Sequence, residues 1–479
     1  MNFEVSNMAL ATPEMFMLGM ACISLLAVAF LGEKGATAAY GLSLLSLAIT
    51  AIIIYQSWGQ SGMTFDGMYI KDGFSDVLKI AICLINMVVF IYSKSYLKER
   101  GLFKGEYYVL AIFSTLGMMI MVSADHFLTI YLGLELMSLC MYAMVAMYRD
   151  SFIATEAAMK YFILGALASG MLLYGMSIIY GVTGSLSISN VAAAIQTGGL
   201  DNTVLSFGIV FLVIGIGFKL GAVPFHMWLP DVYQGAPTAV TLFIAAAPKI
   251  AAFAMAIRLL VGGLGDASEY WQDMLIMLSI LSMIVGNVVA IAQTNIKRML
   301  AYSTISHVGF ILLGILSATQ EGYAASMFYA LVYSLMTLGG FGMVLLMSRQ
   351  GFEAEQLGDY KGLSKRNPWF ALIMLILMFS MAGIPPLVGF YAKLLVIKSV
   401  VDINLMPVAI IAVLLSVIGA FYYLRVIKLM YFDAPEEQQQ ALEAPSDMKV
   451  MLSINGIAVL MLGLFPGSLL ALCASIFPL

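Results

Sequence analysis

Charged residues are scarce in this sequence, and their scarcity excludes a water-soluble globular chain. Only 10% of the 479 residues are Asp, Glu, Lys or Arg, against about a quarter in a typical soluble protein. Hydrophobic residues make up 62% of the chain, and the mean hydropathy is +0.97. Apolar runs of about 20 residues, each long enough to cross a bilayer as a helix, therefore fill most of the sequence.

Cysteine pairs, basic clusters and alternating patterns are also lacking, and each absence removes a class of protein. Cys22, Cys83, Cys140 and Cys473 lie in apolar stretches without paired spacing, which argues against disulfides, iron–sulfur clusters and zinc sites. The net charge is -4 and there is no basic domain, so a nucleic-acid partner has no electrostatic basis. The apolar runs do not alternate with polar residues, which excludes a membrane β-barrel.

The apolar runs predict an all-α polytopic membrane protein with about 14 transmembrane helices. Two spans carry prolines beside a lysine: Pro224 follows Lys219, and Pro385 and Pro386 precede Lys393. A proline removes a backbone donor and kinks a helix. Broken membrane helices often form transport sites, because freed carbonyls and helix ends bind ions and water. We therefore expect two broken helices at a transport site.

The spacing of ionisable residues predicts an internal repeat. Glu135 and Lys219 are 84 residues apart, and His307 and Lys393 are 86 apart. An offset of about 173 residues superimposes the two pairs, and because it contains five spans, the second unit is inverted relative to the first. The predicted segments are N-terminal helices 1 to 3 at 1–105, a first five-helix repeat at 106–262, a second, inverted repeat at 272–430, and a C-terminal helix at 448–477.

Positive charge is unevenly divided between alternate loops. One set holds only Lys71, Arg258 and Lys398. The other set holds fourteen cations: Lys34, Lys94, Lys98, Arg100, Lys104, Arg149, Lys297, Arg298, Arg349, Lys361, Lys365, Arg366, Lys428 and Lys449. Since positively charged loops stay on the cytoplasmic side, both termini are predicted on the opposite, outer side.

Six cations fall inside the predicted spans: Lys79, Lys160, Lys219, Lys249, Lys393 and Arg425. A cation at the bilayer centre costs about 2.5 to 3.5 kcal/mol on insertion scales, so such residues usually face a protein interior and mark ion or proton paths. Glu135 is the matching acid. A lysine whose carboxylate partner is alternately near and far can hold and then release a proton. We expect Glu135 and Lys219 to form this switch, Lys249 and His307 to relay protons, and Lys393 to be the far terminal.

Structural roles remain open for three of these residues. Glu135 is also compatible with a buried acid that pairs with a neighbouring chain. Lys249 follows Pro248 in the predicted span 237–262 and is also compatible with a cap on a kinked helix. Lys160, near the start of its span, is compatible with a side chain that reaches the cytoplasmic interface.

Three other ionisable residues have less specific surroundings. His226, between Pro224 and Trp228, is compatible with a structural hydrogen bond or with a relay. Lys79 and Arg425 lie towards the ends of their spans. We interpret both as interfacial or subunit-contact residues and leave them out of the proton path.

Two long motifs resemble a known family. They are FKLGAVPFHMWLPDVYQGAPTAVTLFIAAAPKIAAF at 218–253 and NIKRMLAYSTISHVGF at 295–310, and they resemble the antiporter-like membrane subunits of respiratory complex I over nearly the whole chain. Three related subunits share these motifs. The largest, subunit L, adds a long lateral helix, and subunit M carries a glutamate where Lys393 stands, so the chain is most similar to the third paralogue.

The resemblance implies a proton-translocating membrane-arm subunit of bacterial NADH:quinone oxidoreductase, driven by electron transfer in other subunits. Residues that match functional or central positions of the family are Glu135, Lys160, Lys219, Lys249, Lys393, His226 and His307. The resemblance also implies that this chain binds no flavin, iron–sulfur cluster or NADH, and no metal site is expected. FMN and the clusters are expected in the peripheral arm, and the quinone beside another membrane subunit.

The same resemblance implies a location and a set of partners. We expect the bacterial inner membrane, contact with lipid, and association with subunit M and the small subunits K and J, which lead to the peripheral redox arm. Two alternatives of other classes remain, because a fold does not fix a function. One is an independent Na⁺/H⁺ antiporter, and the other is a passive scaffold that moves no ions.

Overall fold

The computed structural model describes residues 5–348, 351–434 and 445–477. It confirms the predicted all-α membrane class, because thirteen helices in this described part are long and apolar enough to cross a membrane. The chain divides into two compact units, each with its own packing. The first unit comprises Met1–Phe90, Leu102–Leu220 and Ala247–Met274, and the second comprises Ile91–Gly101, Gly221–Ala246 and Leu275–Leu479. The two inverted repeats remain a prediction.

The first eight helices supply most of the first unit. They are α1 (Thr12–Phe30), α2 (Gly35–Gln56), α3 (Gly73–Glu99), α4 (Gly105–Val122), α5 (Phe127–Val145), α6 (Phe152–Thr183), α7 (Ile188–Thr197) and α8 (Asn202–Leu220). An antiparallel hairpin of β1 (Gly62–Thr64) and β2 (Tyr69–Lys71) joins α2 to α3. Long apolar helices satisfy their backbone groups internally, as the bilayer interior requires.

The remaining helices continue the chain. They are α9 (Trp228–Gly235), α10 (Thr238–Ala245), α11 (Ala247–Ala256), α12 (Ser268–Ala292), α13 (Ile296–Leu316), α14 (Gln320–Met347), α15 (Leu363–Arg366), α16 (Pro368–Ala382), α17 (Val388–Asp402), α18 (Met406–Tyr431), α19 (Ser446–Leu464) and α20 (Gly467–Ile476). Short 3₁₀ helices lie at Val5–Ala11, Gly32–Lys34, Gly265–Ala267 and Leu357–Tyr360, and a π-helix lies at Ile257–Gly263.

Two glycines bring α4 and α5 into direct backbone contact and so place Glu135. A Cβ added at Gly117 would lie 2.6 Å from the backbone nitrogen of Met137, and one added at Gly133 would lie 2.7 Å from the carbonyl oxygen of Gly117. No side chain fits at such distances. Small residues commonly permit this approach between membrane helices, and Glu135 follows Gly133 by two residues on α5.

Arg258 holds one end of the first unit together. Its guanidinium donates two hydrogen bonds to the carboxylate of Asp72, at 2.7 and 2.9 Å, and one to the carbonyl of Val122 at 3.1 Å. The π-helix is thereby tied to the residue before α3 and to the end of α4. Lys71, also predicted on the outer side, is paired with Asp76 at this end.

Both predicted helix breaks are confirmed. Helix α8 ends at Leu220, and residues 221–227 form turns before α9 begins. Helix α16 ends at Ala382 and is followed by Gly383, whose φ of +87° lies in the left-handed region, and α17 begins at Val388 after the two prolines. A helix that ends inside the protein leaves carbonyl groups without helical donors, so both breaks create hydrogen-bond acceptors.

The predicted span at 237–262 corresponds to one segment that is long and apolar enough to cross a membrane, Thr238–Gly263, but its helix is interrupted. Helix α10 ends at Ala245 and α11 begins at Ala247. Pro248 explains the break, since it has no N–H for the carbonyl four residues earlier and its ring clashes with that carbonyl. The Ser334 hydroxyl donates to the Ala246 carbonyl at 3.3 Å, which compensates for part of the lost helical bonding.

Candidate functional site

Lys219 is buried near the end of α8 in the first unit. Its Nζ donates to the Ser138 hydroxyl at 2.5 Å, and that hydroxyl donates to the carbonyl of Leu134. Ser138 follows Glu135 by three residues, so the two share one face of α5. Lys219 therefore bonds to a neutral group on the helix that carries the predicted carboxylate.

Glu135 lies beside this contact and is partly buried. Its Oε1 atom is enclosed and has no hydrogen-bond partner. The carboxylate acts electrostatically on Lys219, although among the described residues the two do not approach within the ion-pair distance of 4.0 Å. In this geometry the acid influences the lysine without bonding to it.

Lys249, in the first turn of α11, is buried next to the same helix end. Its Nζ donates to the carbonyl of Leu220 at 2.7 Å. Cations at helix C-termini are stabilised by the exposed carbonyls and by the helix dipole. Lys249 therefore caps α8, and it lies close enough to Lys219 for the two amines to act on each other electrostatically.

Lys160 does not join this group. Its side chain is 44% exposed on α6, where it forms a 2.9 Å ion pair with Glu156, one helical turn earlier. The position on the outside of the first unit agrees with the interfacial alternative, and it also suits exchange of a proton with a neighbouring chain.

His307 is the centre of a chain of hydroxyl groups in the second unit. Its Nδ1 lies 2.7 Å from the Tyr329 hydroxyl, and its Nε2 lies 3.0 Å from the Tyr423 hydroxyl. The Tyr423 hydroxyl in turn lies 2.5 Å from Ser303 Oγ. A neutral imidazole donates from one nitrogen and accepts at the other, while a hydroxyl does both. The imidazole of His307 can therefore accept a proton at one ring nitrogen and release one from the other.

A small cavity continues this chain of hydroxyls. Its size admits about one water molecule. It is lined by Leu300, Ser303, Thr304, Tyr333, Thr337, Phe341 and Met381. The Tyr333 hydroxyl donates to Thr304 Oγ1 at 2.8 Å. Four hydroxyl side chains surround the space, which is enough to hold a buried water by hydrogen bonds.

Lys393 is buried on α17 in the second unit. Its Nζ donates to the carbonyl of Ala382 at 2.8 Å and to Ser416 Oγ at 3.0 Å, and it lies 5.1 Å from the ring centroid of Phe310. Ala382 is the last residue of α16, so Lys393 bonds to the end of a broken helix, as Lys249 does. Lys393 also acts electrostatically on His307.

His226 lies in the turns between α8 and α9 and is partly buried. Its carbonyl accepts from the Leu229 N–H at 2.9 Å, while the side-chain Nδ1 is enclosed without a hydrogen-bond partner. The backbone contact fits the structural alternative, and the enclosed nitrogen fits a relay that works through water.

The interfacial interpretation of Lys79 is wrong. The side chain is only 1% exposed, and its Nζ lies 2.5 Å from Glu14 Oε1. Arg425 has a structural role that the sequence did not indicate. Its guanidinium donates to the carbonyls of Ile291, at 2.9 Å, and Gln293, and so closes the end of α12.

Metal ligands are not grouped in the part of the chain that the structure describes, since no three His, Cys, Asp or Glu side chains there could hold one ion. All four cysteines are unbridged.

Comparison with models of known protein families identifies the family of the chain. The model of the NADH:quinone oxidoreductase/Mrp antiporter transmembrane family matches residues 124–419. The chain belongs to this family. The matched segment includes every predicted site residue, among them the carboxylate of Glu135 and the buried lysines.

Individual family members agree. NADH-quinone oxidoreductase subunit N of Thioalkalivibrio sulfidiphilus is 58% identical over 474 residues, which cover 98% of each chain. A chain in the structure of respiratory complex I from Thermus thermophilus with bound aureothin is 31% identical, with a TM-score of 0.83 over 97% of this chain and all of that one. A chain of the Mrp complex from Dietzia sp. has a TM-score of 0.81 at 20% identity, over 98% of this chain and 96% of that one, and shares the fold. Subunit N is the third paralogue, so the sequence-based choice among the three is confirmed.

Proposed function

We propose that the chain is the antiporter-like subunit N of a bacterial NADH:quinone oxidoreductase and translocates protons across the membrane. The observation that carries this proposal is the bonding of three buried lysines, Lys219, Lys249 and Lys393. The Nζ atom of each donates to a hydroxyl or carbonyl oxygen. Since neutral oxygens accept an N–H from an amine as well as from an ammonium, each lysine can lose a proton and keep its hydrogen bond.

In the first unit the relay uses Glu135, Ser138, Lys219 and Lys249. A carboxylate that approaches Lys219 favours the ammonium, and burial without that carboxylate favours the amine. Movement of Glu135 relative to Lys219 therefore loads or unloads the lysine. The released proton has a neighbouring acceptor in Lys249, whose bond to Leu220 lies one residue from Lys219. Lys160 exchanges protons at the surface of the unit.

In the second unit the relay uses His307, its two tyrosines and Lys393. A proton enters the ring of His307 from one tyrosine hydroxyl while the other nitrogen releases one. Repulsion between Lys393 and a protonated His307 disfavours the state in which both are charged. His226 serves as a further relay through its enclosed Nδ1.

Replacing Tyr423 with Phe tests the hydroxyl chain. The variant removes the oxygen that joins Ser303 to His307 and leaves the ring packing in place. We expect NADH-driven acidification of inverted membrane vesicles to slow by about tenfold or more, since positioned proton-transfer groups contribute at least this much. Tyr174→Phe, at a half-exposed tyrosine of α6, is the control. Equal acidification rates in the Tyr423→Phe and Tyr174→Phe variants would show that Tyr423 is not part of the proton path.

The redox chemistry belongs to partner subunits in this proposal. FMN and iron–sulfur clusters lie in the peripheral arm, the quinone binds beside another membrane subunit, and this chain adjoins subunit M and the small subunits K and J. The family relationship supports association with other complex I subunits. The distribution of cationic loops supports an inner-membrane orientation with both termini on the periplasmic side.

Purification distinguishes this function from an independent Na⁺/H⁺ antiporter. An affinity tag on this chain should recover an assembly that oxidises NADH with a quinone and acidifies proteoliposomes. The chain alone, in liposomes carrying a Na⁺ gradient, should produce no pH change. Exchange of Na⁺ for protons by the isolated chain, without recovery of redox subunits, would overturn the proposal.

A further inference from the structure

A second cluster of ionisable side chains is buried in the first unit, on α1, β2 and α3. Lys79 Nζ lies 2.5 Å from Glu14 Oε1 and donates to the Tyr69 hydroxyl at 2.9 Å. The Tyr69 hydroxyl donates to Glu14 Oε2 at 2.8 Å. All three side chains are buried, and none belongs to the path through Glu135 and Lys219.

The cluster continues into a second buried ion pair. Lys71 Nζ lies 2.9 and 3.0 Å from the two carboxylate oxygens of Asp76, and Asp76 and Lys79 act on each other electrostatically. Two cations and two carboxylates give a net charge of zero. Because the charges are balanced, a proton can move within the cluster without leaving an uncompensated charge in the protein interior.

Tyr69 lies between Lys79 and Glu14, a position that suits proton transfer from one to the other. Burial, followed by the charge of Glu14, raises the pKa of Tyr69 above its ordinary value, so the phenol stays protonated at rest. In one concerted step the Tyr69 oxygen takes a proton from Lys79 Nζ while the Tyr69 hydrogen moves to Glu14 Oε2. The ammonium and carboxylate become an amine and a carboxylic acid, and Tyr69 is unchanged.

Helix α3 carries another buried polar residue, further from the cluster along the face that holds Lys79. Asn86 follows Lys79 by seven residues and so lies on nearly the same helix face, about 10 Å further along. Its Nδ2 donates to Thr115 Oγ1 at 2.9 Å, and its Oδ1 is buried without a partner. A buried amide oxygen without a protein donor is usually satisfied by water, so Asn86 marks a polar position on the helix face that carries Lys79.

We propose that Glu14, Tyr69 and Lys79 form a second proton-transfer site of the first unit, on the outer side of the membrane. Lys79 is six residues, about 9 Å, from the start of α3, and Glu135 is eight residues, about 12 Å, from the start of α5. The two helices begin at the same end, because Tyr69 pairs with Ala124 just before α5. Lys79 thus lies slightly nearer this end than Glu135, and Glu14 is only two residues from the start of α1, so the cluster suits proton release at the outer end.

Lys79→Arg is the sharpest test, and it rests on the proposed function. Arginine keeps the positive charge and the ion pair with Glu14, but it does not release its proton. We expect the complex to assemble and oxidise NADH in the presence of an uncoupler, with vesicle acidification slowed by about tenfold. Lys398→Arg, the same exchange at an exposed lysine of α17, is the control and should pump normally.

Tyr69→Phe provides a second test if the arginine disturbs packing. It removes the bridging hydroxyl and retains the ion pair, so we expect the same slowing. Acidification at the wild-type rate by the assembled Tyr69→Phe variant would overturn the inference. An ion pair between Lys79 and Glu14 that served only the structure would not need the Tyr69 hydroxyl. Lys219→Met is measured alongside. If that variant pumps normally, the proposed function fails; if it does not pump while Tyr69→Phe does, only this inference fails.

Discussion

The Lys219→Met variant is expected to assemble with its partner subunits and to lose proton translocation by about a hundredfold or more. Methionine has nearly the length of lysine, so it fills the same space at the end of α8. It removes the amine that bonds to Ser138 and responds to Glu135. Assembly should be retained, because Lys219 forms no ion pair within the described part of the chain, and replacing such a buried charge with an apolar group removes a desolvation cost.

The measurement compares acidification with NADH oxidation in inverted membrane vesicles, at equal amounts of assembled complex. Lys398→Met is the matched control, since Lys398 is an exposed lysine on α17. Wild-type proton transport in the Lys219 variant would favour the passive scaffold. Loss of transport in both variants would indicate a general effect of removing charge from membrane helices.

Gly383→Ala is expected to lower proton translocation by up to about a hundredfold, because small misplacements of reacting groups have effects of this size. An added Cβ at Gly383 would lie 2.8 Å from Lys393 Cδ. The lysine stem must move, and its bond to the Ala382 carbonyl must lengthen. The residue also has a φ of +87°, where alanine costs about 1 to 2 kcal/mol.

Gly184→Ala separates these two effects. Gly184 ends α6 in the left-handed conformation, with φ +71°, but a Cβ there meets nothing within 4 Å. The backbone strain is therefore similar, and no lysine is displaced. We expect Gly184→Ala to lower thermal stability slightly and to pump at the wild-type rate. Equal pumping by both alanine variants would show that the position of Lys393 does not limit proton transfer.

The sequence predicted the features that depend on local composition. Long apolar runs identified the helices, and prolines identified the breaks near Lys219 and Lys393, because a missing N–H has the same effect in any fold. The roles of Lys219, Lys249 and Lys393 as proton carriers remain predictions. The structure adds that each of them donates to a neutral oxygen at a helix end or on a hydroxyl side chain.

Contacts between distant parts of the chain were not predictable in this way. Ser138 carried a weak signal, since it lies one turn after Glu135 on the same helix face. Tyr423 carried none, because tyrosines are common in membrane helices and its bond to His307 joins residues 116 positions apart. Lys79 looked interfacial because its partner Glu14 is 65 residues away and is positioned by the hairpin that carries Tyr69.

The bond between Lys249 and the Leu220 carbonyl has a spectroscopic consequence. A carbonyl vibrates at a lower frequency when its donor is cationic than when its donor is neutral. Carbon-13 placed in the Leu220 carbonyl would therefore separate one infrared band from the rest of the backbone. The frequency of that band would report, during turnover, whether the neighbouring amine carries its extra hydrogen.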